Sequence, residues 1–435
     1  MEGHAQSVED SLIDSLSFKL RPGASYVTSR RSVSFFPQGG NDYKPNGVKV
    51  IKIGLNGDQW LDPSTVKLFF TIQNTHATLP LKPKLPVPWV FFRRVRVLCG
   101  GQIVEDIDDY NRVHTQFHLM RPTERRLNDF AEAFGTDLTT SLTMTRESID
   151  TSQTVAADSS RTVCFTPFLG LFRQEKFLPV RYAPIQLEFE VVNAATDAVY
   201  PATNSSGQTT FSEAFVIQDV QLKCDLVDLD NTLDNEYTQY LMTGKSLPIH
   251  YTAITHSSQI FTNMKNDVHV SRSLTRLKSV FVSLFEKLNI GEAAYGVCNS
   301  FWHPMEATFN FDKEVEIQIQ IGSKLYPEYP IRSLAEAYYQ LRKTIGLHFG
   351  NEAMAIHSKS YMSRSFIAAI DLEKVLGAAF TGTNTMDGQL MIIRMKPANA
   401  STITLDTAAN TYYIFYTLIY DAVLQINLAG VTVLE

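Results

Sequence analysis

The sequence predicts an all-β protein built from two consecutive β-sandwiches, with a few short helices in the loops. Two observations predict this fold: apolar and polar residues alternate strictly in several segments, and the same order of elements occurs in both halves of the chain. The alternation is clearest in 66–73, 185–191 and 315–321, where every second side chain is apolar. Strands with one apolar and one polar face are typical of antiparallel sheets that pack face to face.

The repeated order consists of a strand, a two-residue turn, a short strand and a helix. In the first half these elements are predicted at 94–99, Gly100-Gly101, 102–105 and about 108–119. In the second half they are predicted at 315–321, Gly322-Ser323, 324–326 and 333–345. Two-residue turns of this kind join antiparallel strands in tight hairpins. Because the two sets lie roughly half the chain apart, the pattern indicates an internal duplication.

Each half is predicted to end in a long strand pair, 185–192 with 214–226 and 389–396 with 411–426. Within the last of these segments, residues 412–419 are apolar on both faces of the strand. A strand of this kind lies between two layers, and the second layer can be another domain or another subunit.

Helices are few and short. Ser333, followed three residues later by Glu336, forms a capping box at the start of the helix 333–345. Two further helices are predicted at 123–134 and 231–243, and each is followed by a glycine that can end it.

The length of 435 residues suggests two to four domains, at about 100–200 residues each. The repeat predicts four parts: an N-terminal arm at 1–24, a first sandwich at 25–230, a linking helical segment at 231–246, and a second sandwich at 247–435. Three polar stretches, 136–160, 196–213 and 381–388, are predicted to be loops.

Composition limits the class of protein. Charged residues make up 19% of the chain, below the roughly 25% of typical soluble domains, whereas 27 Phe and 18 Tyr are numerous. Such a chain has much apolar surface to bury, in part against copies of itself. The net charge of −6 argues against a protein that wraps nucleic acid with a basic surface.

Motifs for catalysis or cofactor binding are missing: there is no glycine-rich phosphate loop and no G-x-S-x-G turn. His114 and His118 stand four residues apart on a predicted helix, a spacing that can hold a metal. The glutamate of H-E-x-x-H is absent, so hydrogen-bonded histidines are the simpler interpretation. The four cysteines lack metal-site spacing and are expected to be free thiols: Cys99, Cys164, Cys224 and Cys298. We therefore expect no enzymatic activity, no cofactor and no metal.

The first 20 residues contain no basic segment followed by a long apolar run, so we expect no signal peptide.

Two classes of protein remain compatible with these patterns. One is an assembling scaffold, and the other is a carbohydrate-binding or glycan-processing protein with two sandwiches. The second class is typically secreted and carries disulfides or calcium, and this sequence indicates no signal peptide, no disulfide and no calcium loop.

Five long stretches resemble a known family: 26–74, 91–118, 271–285, 316–343 and 366–395. They include FFRRVRVLCGGQIVEDIDDYNRVHTQFH in the first half and EIQIQIGSKLYPEYPIRSLAEAYYQLRK in the second. Together they resemble the double jelly-roll major capsid proteins of small eukaryotic DNA viruses, especially polinton-like viruses and virophages, in the adenovirus–tectivirus lineage. The resemblance covers most of the chain.

The resemblance implies two eight-stranded jelly rolls per subunit, a homotrimer that forms a pseudo-hexameric capsomer (a hexon), and capsomers that tile an icosahedral shell. The implied partners are other copies of this chain, a single jelly-roll penton protein at the vertices, and minor capsid proteins. The resemblance implies no enzymatic activity, no cofactor and no sequence-specific binding of nucleic acid. It places the protein in the virion after assembly inside the host cell. Membrane contact is left open, because a lipid layer lies beneath the shell in only some relatives.

Eight residues are candidates for contacts between subunits. Aromatic residues and arginines are enriched in the cores of interfaces. On that ground we select residues near 26–40 and in the two hairpin–helix units: Tyr26, Phe35, Phe36, Arg93, Arg94, Tyr326, Tyr329 and Arg332. For Phe35 and Phe36, ordinary burial in the core is an equally good interpretation.

Overall fold

The computed structural model describes residues 26–135, 153–200, 211–288, 300–306, 310–346, 354, 356–375, 380–386, 390–399 and 403–435. The predicted arm at 1–24, most of the predicted loop 136–160 and much of the loop 196–213 lie outside these residues. Within the described residues the chain forms strands β1 to β18 and helices α1 to α6.

The strands of the first half are β1 (Val27–Phe35), β2 (Val50–Leu55), β3 (Trp60–Asn74), β4 (Phe92–Cys99), β5 (Gln102–Ile107), β6 (Ser160–Phe165), β7 (Leu178–Pro179), β8 (Ile185–Val191) and β9 (Phe215–Leu229). Those of the second half are β10 (Leu247–Phe261), β11 (Asn266–Val270), β12 (Leu277–Leu288), β13 (Val315–Ile321), β14 (Lys324–Ile331), β15 (Ala368–Asp371), β16 (Met391–Pro397), β17 (Asn410–Asn427) and β18 (Gly430–Leu434). The helices are α1 (Tyr110–Leu119), α2 (Thr123–Ala131), α3 (Ala195–Ala198), α4 (Asn231–Met242), α5 (Leu334–Thr344) and α6 (Ser358–Tyr361).

Four antiparallel sheets form two sandwiches with the same strand order. The first sandwich has sheets β1-β9-β3-β6 and β2-β8-β4-β5, and the second has β10-β17-β12-β15 and β11-β16-β13-β14. Strand for strand, the second pair of sheets repeats the first, with β7 and β18 as short additions beside β3 and β17. The all-β class and two eight-stranded sandwiches are confirmed, and this order is that of a jelly roll. The residues at which the chain divides into arm, sandwiches and linker stay a prediction.

The predicted closing strand pairs are wrong. Segment 185–192 forms β8, which lies between β2 and β4, whereas 214–226 belongs to β9, which lies between β1 and β3 in the opposite sheet. The second half shows the same separation of β16 from β17. In a jelly roll, consecutive strands cross from one sheet to the other. β8 and β9, like β16 and β17, therefore lie in opposite sheets and do not hydrogen-bond to each other.

The helix predictions hold with small shifts at the ends. α5 begins after Ser333, whose hydroxyl accepts a hydrogen bond from the Glu336 amide, and the Glu336 carboxylate accepts one from the Arg332 amide. α2 ends at Ala131, before the predicted 134.

The predicted short strand 324–326 is longer and runs through two prolines to Ile331. Prolines are tolerated there because β14 is an edge strand, whose outer N–H groups need no partner.

Candidate assembly surface

The two sandwiches meet along a face that we call the seam. In the second sandwich, β10, β17 and β12 point one set of side chains away from their own core, and β5 and α1 of the first sandwich lie over that set. The covered side chains on β12 and β17 include Phe281, Phe285, Phe415 and Thr417. The prediction that 412–419 lies between two layers is therefore confirmed, and the second layer is the other sandwich of the same chain.

Arg112 of α1 fills the centre of the seam. Its side chain is fully buried, and its guanidinium lies 4.3 Å from the ring centre of Phe301 and 4.1 Å from that of Phe415. It donates hydrogen bonds to the Ser300 carbonyl at 2.8 Å, to the Ser283 hydroxyl at 3.0 Å and to the Leu284 carbonyl at 3.2 Å. A charged group this deep is tolerated because oxygens and aromatic faces surround it. Arg112 thus anchors the first sandwich in the second.

A second contact joins the sandwiches near Glu105 of β5. The fully buried Glu105 carboxylate accepts hydrogen bonds from the amides of Gly170, at 2.9 Å, and Leu171, at 3.0 Å. The Ile254 amide on β10 also opposes the rise in the pKa of Glu105, so the carboxylate lies against both sandwiches. Burial raises the pKa of Glu105 to about 7, against the opposing effect of these amides.

His256 on β10 is also buried in the seam. Its Nδ1 lies 2.8 Å from the Thr417 hydroxyl, and its ring stacks on Phe415 with the ring centres 5.5 Å apart. Burial, together with the positive charge of Arg112, lowers the pKa of His256 from 6.5 to about 3. The imidazole is therefore neutral in the folded protein at neutral pH.

The lowered pKa of His256 predicts a loss of stability in acid. Below about pH 6.5 the unfolded chain binds a proton that the folded chain does not bind until about pH 3, so the free energy of unfolding falls as the pH falls through that range. We expect His256→Asn to reduce the slope of the free energy of unfolding against pH by up to about 1.4 kcal/mol per pH unit. Urea unfolding between pH 4 and 7 measures this slope.

His269→Asn is the matched control, because His269 is exposed on β11. It is expected to keep the slope of the unchanged protein. An equal slope for the His256 variant would contradict the assignment of a neutral buried imidazole.

The equivalent face of the first sandwich is less aromatic than the face that the seam covers. On β1, β9 and β3 the outward side chains are mainly polar, and Arg30 and Lys223 are exposed. Lys223 lies over the ring of Phe69, with Nζ 4.5 Å from the ring centre. Arg30 pairs with Asp62 and Asp225, each at 2.8 Å. This face, defined by β1, β9 and β3, is called the open face below.

The hairpin–helix unit of the second sandwich is exposed as well. β14 is the edge strand of its sheet, and Tyr329 on it is 82% exposed. On α5, Tyr339 is 61% exposed, while Ala337 and Leu341 pack into the sandwich below. In the first sandwich the equivalent elements, β5 and α1, are those that build the seam. The two predicted units therefore have different surroundings, although their topology is the same.

The predicted contact residues near β1 and β14 are partly exposed. Tyr26 is 51% and Phe36 62% exposed, whereas Phe35 is half-buried and packs against the core. Tyr326 also packs against the core. The Arg332 side chain is exposed and pairs with Glu316 at 3.2 Å. Their role between subunits stays a prediction.

The predicted arginines of β4 have partners within the chain. Arg94 bonds to Asp106 on the neighbouring strand, at 2.8 and 2.5 Å. Arg93 lies 3.5 Å from Asp108 and 3.6 Å from Glu190. Antiparallel pairing of β4 with β5 and β8 brings these opposite charges together.

The histidine pair of α1 is hydrogen-bonded and buried. His114 stacks on Trp89 with the ring centres 3.8 Å apart, and its Nδ1 lies 3.2 Å from the Tyr110 hydroxyl. His118 lies 3.1 Å from an Asp129 oxygen. Burial lowers the pKa of both histidines. In the part of the chain that the structure describes, no three His, Cys, Asp or Glu side chains are placed to hold a metal ion.

Sequence reasoning missed Arg112, Glu105 and Gly170 as seam residues. An arginine at the third position of an ordinary amphipathic helix looks solvent-exposed, and the partner face is remote in sequence.

Among the described residues, no helix is long and apolar enough to cross a membrane.

Solved structures similar to this chain include viral capsid proteins. VP54 of PBCV-1, fitted into a reconstruction of the virophage Sputnik, superimposes with a TM-score of 0.62 at 12% identity, covering 96% of this chain and 99% of VP54. The chain has the double jelly-roll fold. A chain of the Sputnik virophage gives a TM-score of 0.60 at 9% identity, with 98% and 92% covered. The Faustovirus major capsid protein gives 0.57 at 9% identity, with 95% and 93% covered.

At these identities the likeness shows the fold alone. No family model matches the sequence, and no curated protein matches it. The double jelly roll predicted from the five resembling stretches is confirmed.

Proposed function

We propose that this chain is the structural major capsid protein of a DNA virus. The observation that carries the proposal is the full-length match in both directions: double jelly-roll capsid proteins cover nearly all of this chain, and this chain covers nearly all of them. The match therefore includes both sandwiches and their order, rather than a single jelly roll. A fold can host several functions, so the proposal needs its own test.

The proposed unit of assembly is a homotrimer. Two sandwiches of equal topology per chain give six similar wedges in a trimer, and six wedges around an axis form a nearly hexagonal capsomer. A closed ring buries surface without leaving a growing edge. Capsomers of this outline tile an icosahedral shell, with a single jelly-roll penton protein at the vertices and minor capsid proteins between capsomers.

A scaffold role also fits the chemistry of the chain. The buried titratable groups Glu105, His114 and His256 bond to backbone amides, hydroxyls or aromatic rings of the chain itself. The proposed role is non-enzymatic and needs no cofactor. The proposed place is the virion, after assembly inside the host cell, without direct sequence-specific contact with nucleic acid.

Negative-stain imaging of the purified protein tests this function. We expect particles with a hexagonal outline, and shells or flat hexagonal arrays at high concentration. The competing function, a glycan-binding or glycan-processing protein, predicts monodisperse monomers that bind on a glycan array. Monomers at every concentration, with or without glycan binding, would overturn the proposal.

A further inference from the structure

A cleft opens at one edge of the seam, between the two sandwiches. Its volume of about 580 Å³ lies within the roughly 300–1,000 Å³ of typical ligand pockets. One wall is the first-sandwich segment 168–176, between β6 and β7, and the other wall is β10 of the second sandwich. We call this space the seam cleft. Because both sandwiches form it, a molecule bound there contacts both.

The floor of the seam cleft is apolar. Phe117 of α1 and Phe168 stack with their ring centres 4.7 Å apart and their planes at 21°, and both line the cleft. Ile254 on β10 and Ile419 on β17 line it from the second sandwich. Phe117 and Ile419 are only partly buried. They therefore leave apolar surface that the hydrocarbon part of a ligand can cover.

The rim of the seam cleft carries two cations that lack a carboxylate partner. The Arg173 guanidinium lies 4.7 Å from the ring centre of Phe168. Lys176 Nζ donates a hydrogen bond to the Pro248 carbonyl on β10 at 3.2 Å. Within the part of the chain that the structure describes, neither cation forms an ion pair. Both are exposed, so their remaining N–H donors are open to a ligand.

The charges around the seam cleft favour an anion. Of the described residues that line it, Glu175 alone is acidic, and Arg173 and Lys176 outnumber it. The nearby Glu105 carboxylate is buried and bonded to two backbone amides, so it does not take the place of a partner for these cations. An apolar floor beside a basic rim suits a ligand with a hydrocarbon body and one negative charge.

We propose that the seam cleft binds an amphipathic carboxylate of the class of medium-chain fatty acids. Its carboxylate accepts hydrogen bonds from Arg173, whose planar guanidinium matches the two carboxylate oxygens, and from Lys176. Its alkyl chain lies on Phe117 and Ile419 and leaves water. An inorganic anion would leave this floor in water, and a neutral hydrocarbon would leave the cations without a partner. The site lies within one chain and does not depend on the proposed assembly.

Isothermal titration calorimetry with octanoate, octanol and octylammonium tests the charge of the ligand. All three carry the same alkyl chain, and only octanoate has the charge that is opposite to that of the rim. We expect one octanoate per chain, binding at least tenfold tighter than octanol, and no measurable binding of octylammonium.

The chain length of the carboxylate tests the floor. From butanoate through hexanoate to octanoate, each added methylene is expected to strengthen binding by up to about fourfold, the equivalent of about 0.8 kcal/mol for a buried methylene. Acetate, which has the head group and hardly any hydrocarbon, is expected not to bind measurably.

Two single variants test the rim. Arg173→Gln and Lys176→Gln keep long polar side chains and remove one charge each. Each is expected to weaken octanoate binding at least fivefold and to leave the binding of octanol unchanged. Lys223→Gln is the matched control, because Lys223 is also an exposed cation over a phenylalanine ring, but it lies on the open face. It is expected to bind octanoate like the unchanged protein.

Thermal unfolding gives a second readout that needs no titration. A ligand that binds only the folded chain raises the melting temperature, and raises it further as its concentration increases. Octanoate is expected to raise the melting temperature of the unchanged protein and of Lys223→Gln, and to raise that of Arg173→Gln much less. Circular dichroism checks that each variant is folded.

Three results would overturn the proposal. Octanoate that binds no better than octanol would show that the rim does not select an anion, and so would an equal loss of binding in Lys223→Gln. Acetate that binds as tightly as octanoate would show that the floor takes no part. These titrations use the purified chain in whatever oligomeric state it adopts. Failure of this site therefore leaves the capsid function in place, and a monomeric protein that binds octanoate leaves this site in place.

Discussion

Replacing Arg112 with alanine is expected to lower the free energy of unfolding by about 3–5 kcal/mol. The change removes the hydrogen bonds of the guanidinium, leaves the Ser300 and Leu284 carbonyls without these donors, and opens a cavity between Phe301 and Phe415. Because all of these partners belong to the second sandwich, the loss falls on the seam. Denaturant unfolding measures the free energy, and hydrogen exchange of the β12 and β17 amides shows where it is lost.

Arg332→Ala is the control for the Arg112 variant. The Arg332 side chain is 65% exposed, and its partner Glu316 keeps a second pair with Lys396 at 2.9 Å, so its removal is expected to cost less than about 1 kcal/mol. Equal effects of the two variants, or increased exchange spread evenly over both sandwiches, would contradict the anchoring role of Arg112.

Replacing Gly170 with alanine is expected to destabilise the protein by more than about 3 kcal/mol or to prevent folding. A Cβ atom at Gly170 would lie 1.9 Å from the Thr252 carbonyl oxygen on β10 and 2.9 Å from a Glu105 carboxylate oxygen. The nearer atom is backbone of the opposite sandwich, so relief requires the sandwiches to move apart. The bonds of Glu105 to the Gly170 and Leu171 amides lie within the first sandwich, so that movement would leave them in place.

Gly40→Ala is the matched control for the Gly170 variant. No heavy atom lies within 4 Å of a Cβ built at Gly40, so an effect within about 0.5 kcal/mol is expected. Thermal unfolding of both variants provides the comparison. A folded Gly170 variant with unchanged melting temperature would show that the two sandwiches do not approach each other this closely.

Local patterns predicted much of the secondary structure because they depend on neighbouring residues. Strict alternation located β8 and β13, and the Ser333–Glu336 spacing located the start of α5. The duplication was visible because turns and caps keep their spacing in both halves. These signals report which face of an element is buried and where an element begins.

Pairing between distant segments was not predictable in the same way. The two-faced apolar pattern at 412–419 showed that something covers the strand, but it did not say that α1, some 300 residues earlier, is the cover. The closing strand pairs failed for the same reason, since alternation shows the burial of β8 and β9 but not the sheet to which each belongs. Arg112 was missed because a buried arginine depends on the oxygens and rings around it, which are remote in sequence.

The two hairpin–helix units show how equal local patterns acquire different roles. Both were predicted to face partner subunits, and the structure places the first of them at the seam inside the chain. The second remains exposed, with Tyr329 and Tyr339 at its surface. The difference follows from the order of the sandwiches along the chain, because only the first sandwich has a covalently linked successor to cover.

The number of chains in the assembled protein tests the central proposal most directly. Native mass spectrometry of the purified protein in volatile buffer counts them without assuming a shape. We predict a closed trimer of 49.0 kDa chains, about 147 kDa, with few dimers at micromolar concentration. A mass of 49.0 kDa alone, or an open series of dimers, tetramers and larger even species, would contradict the proposal that this chain builds a capsid from three-fold rings.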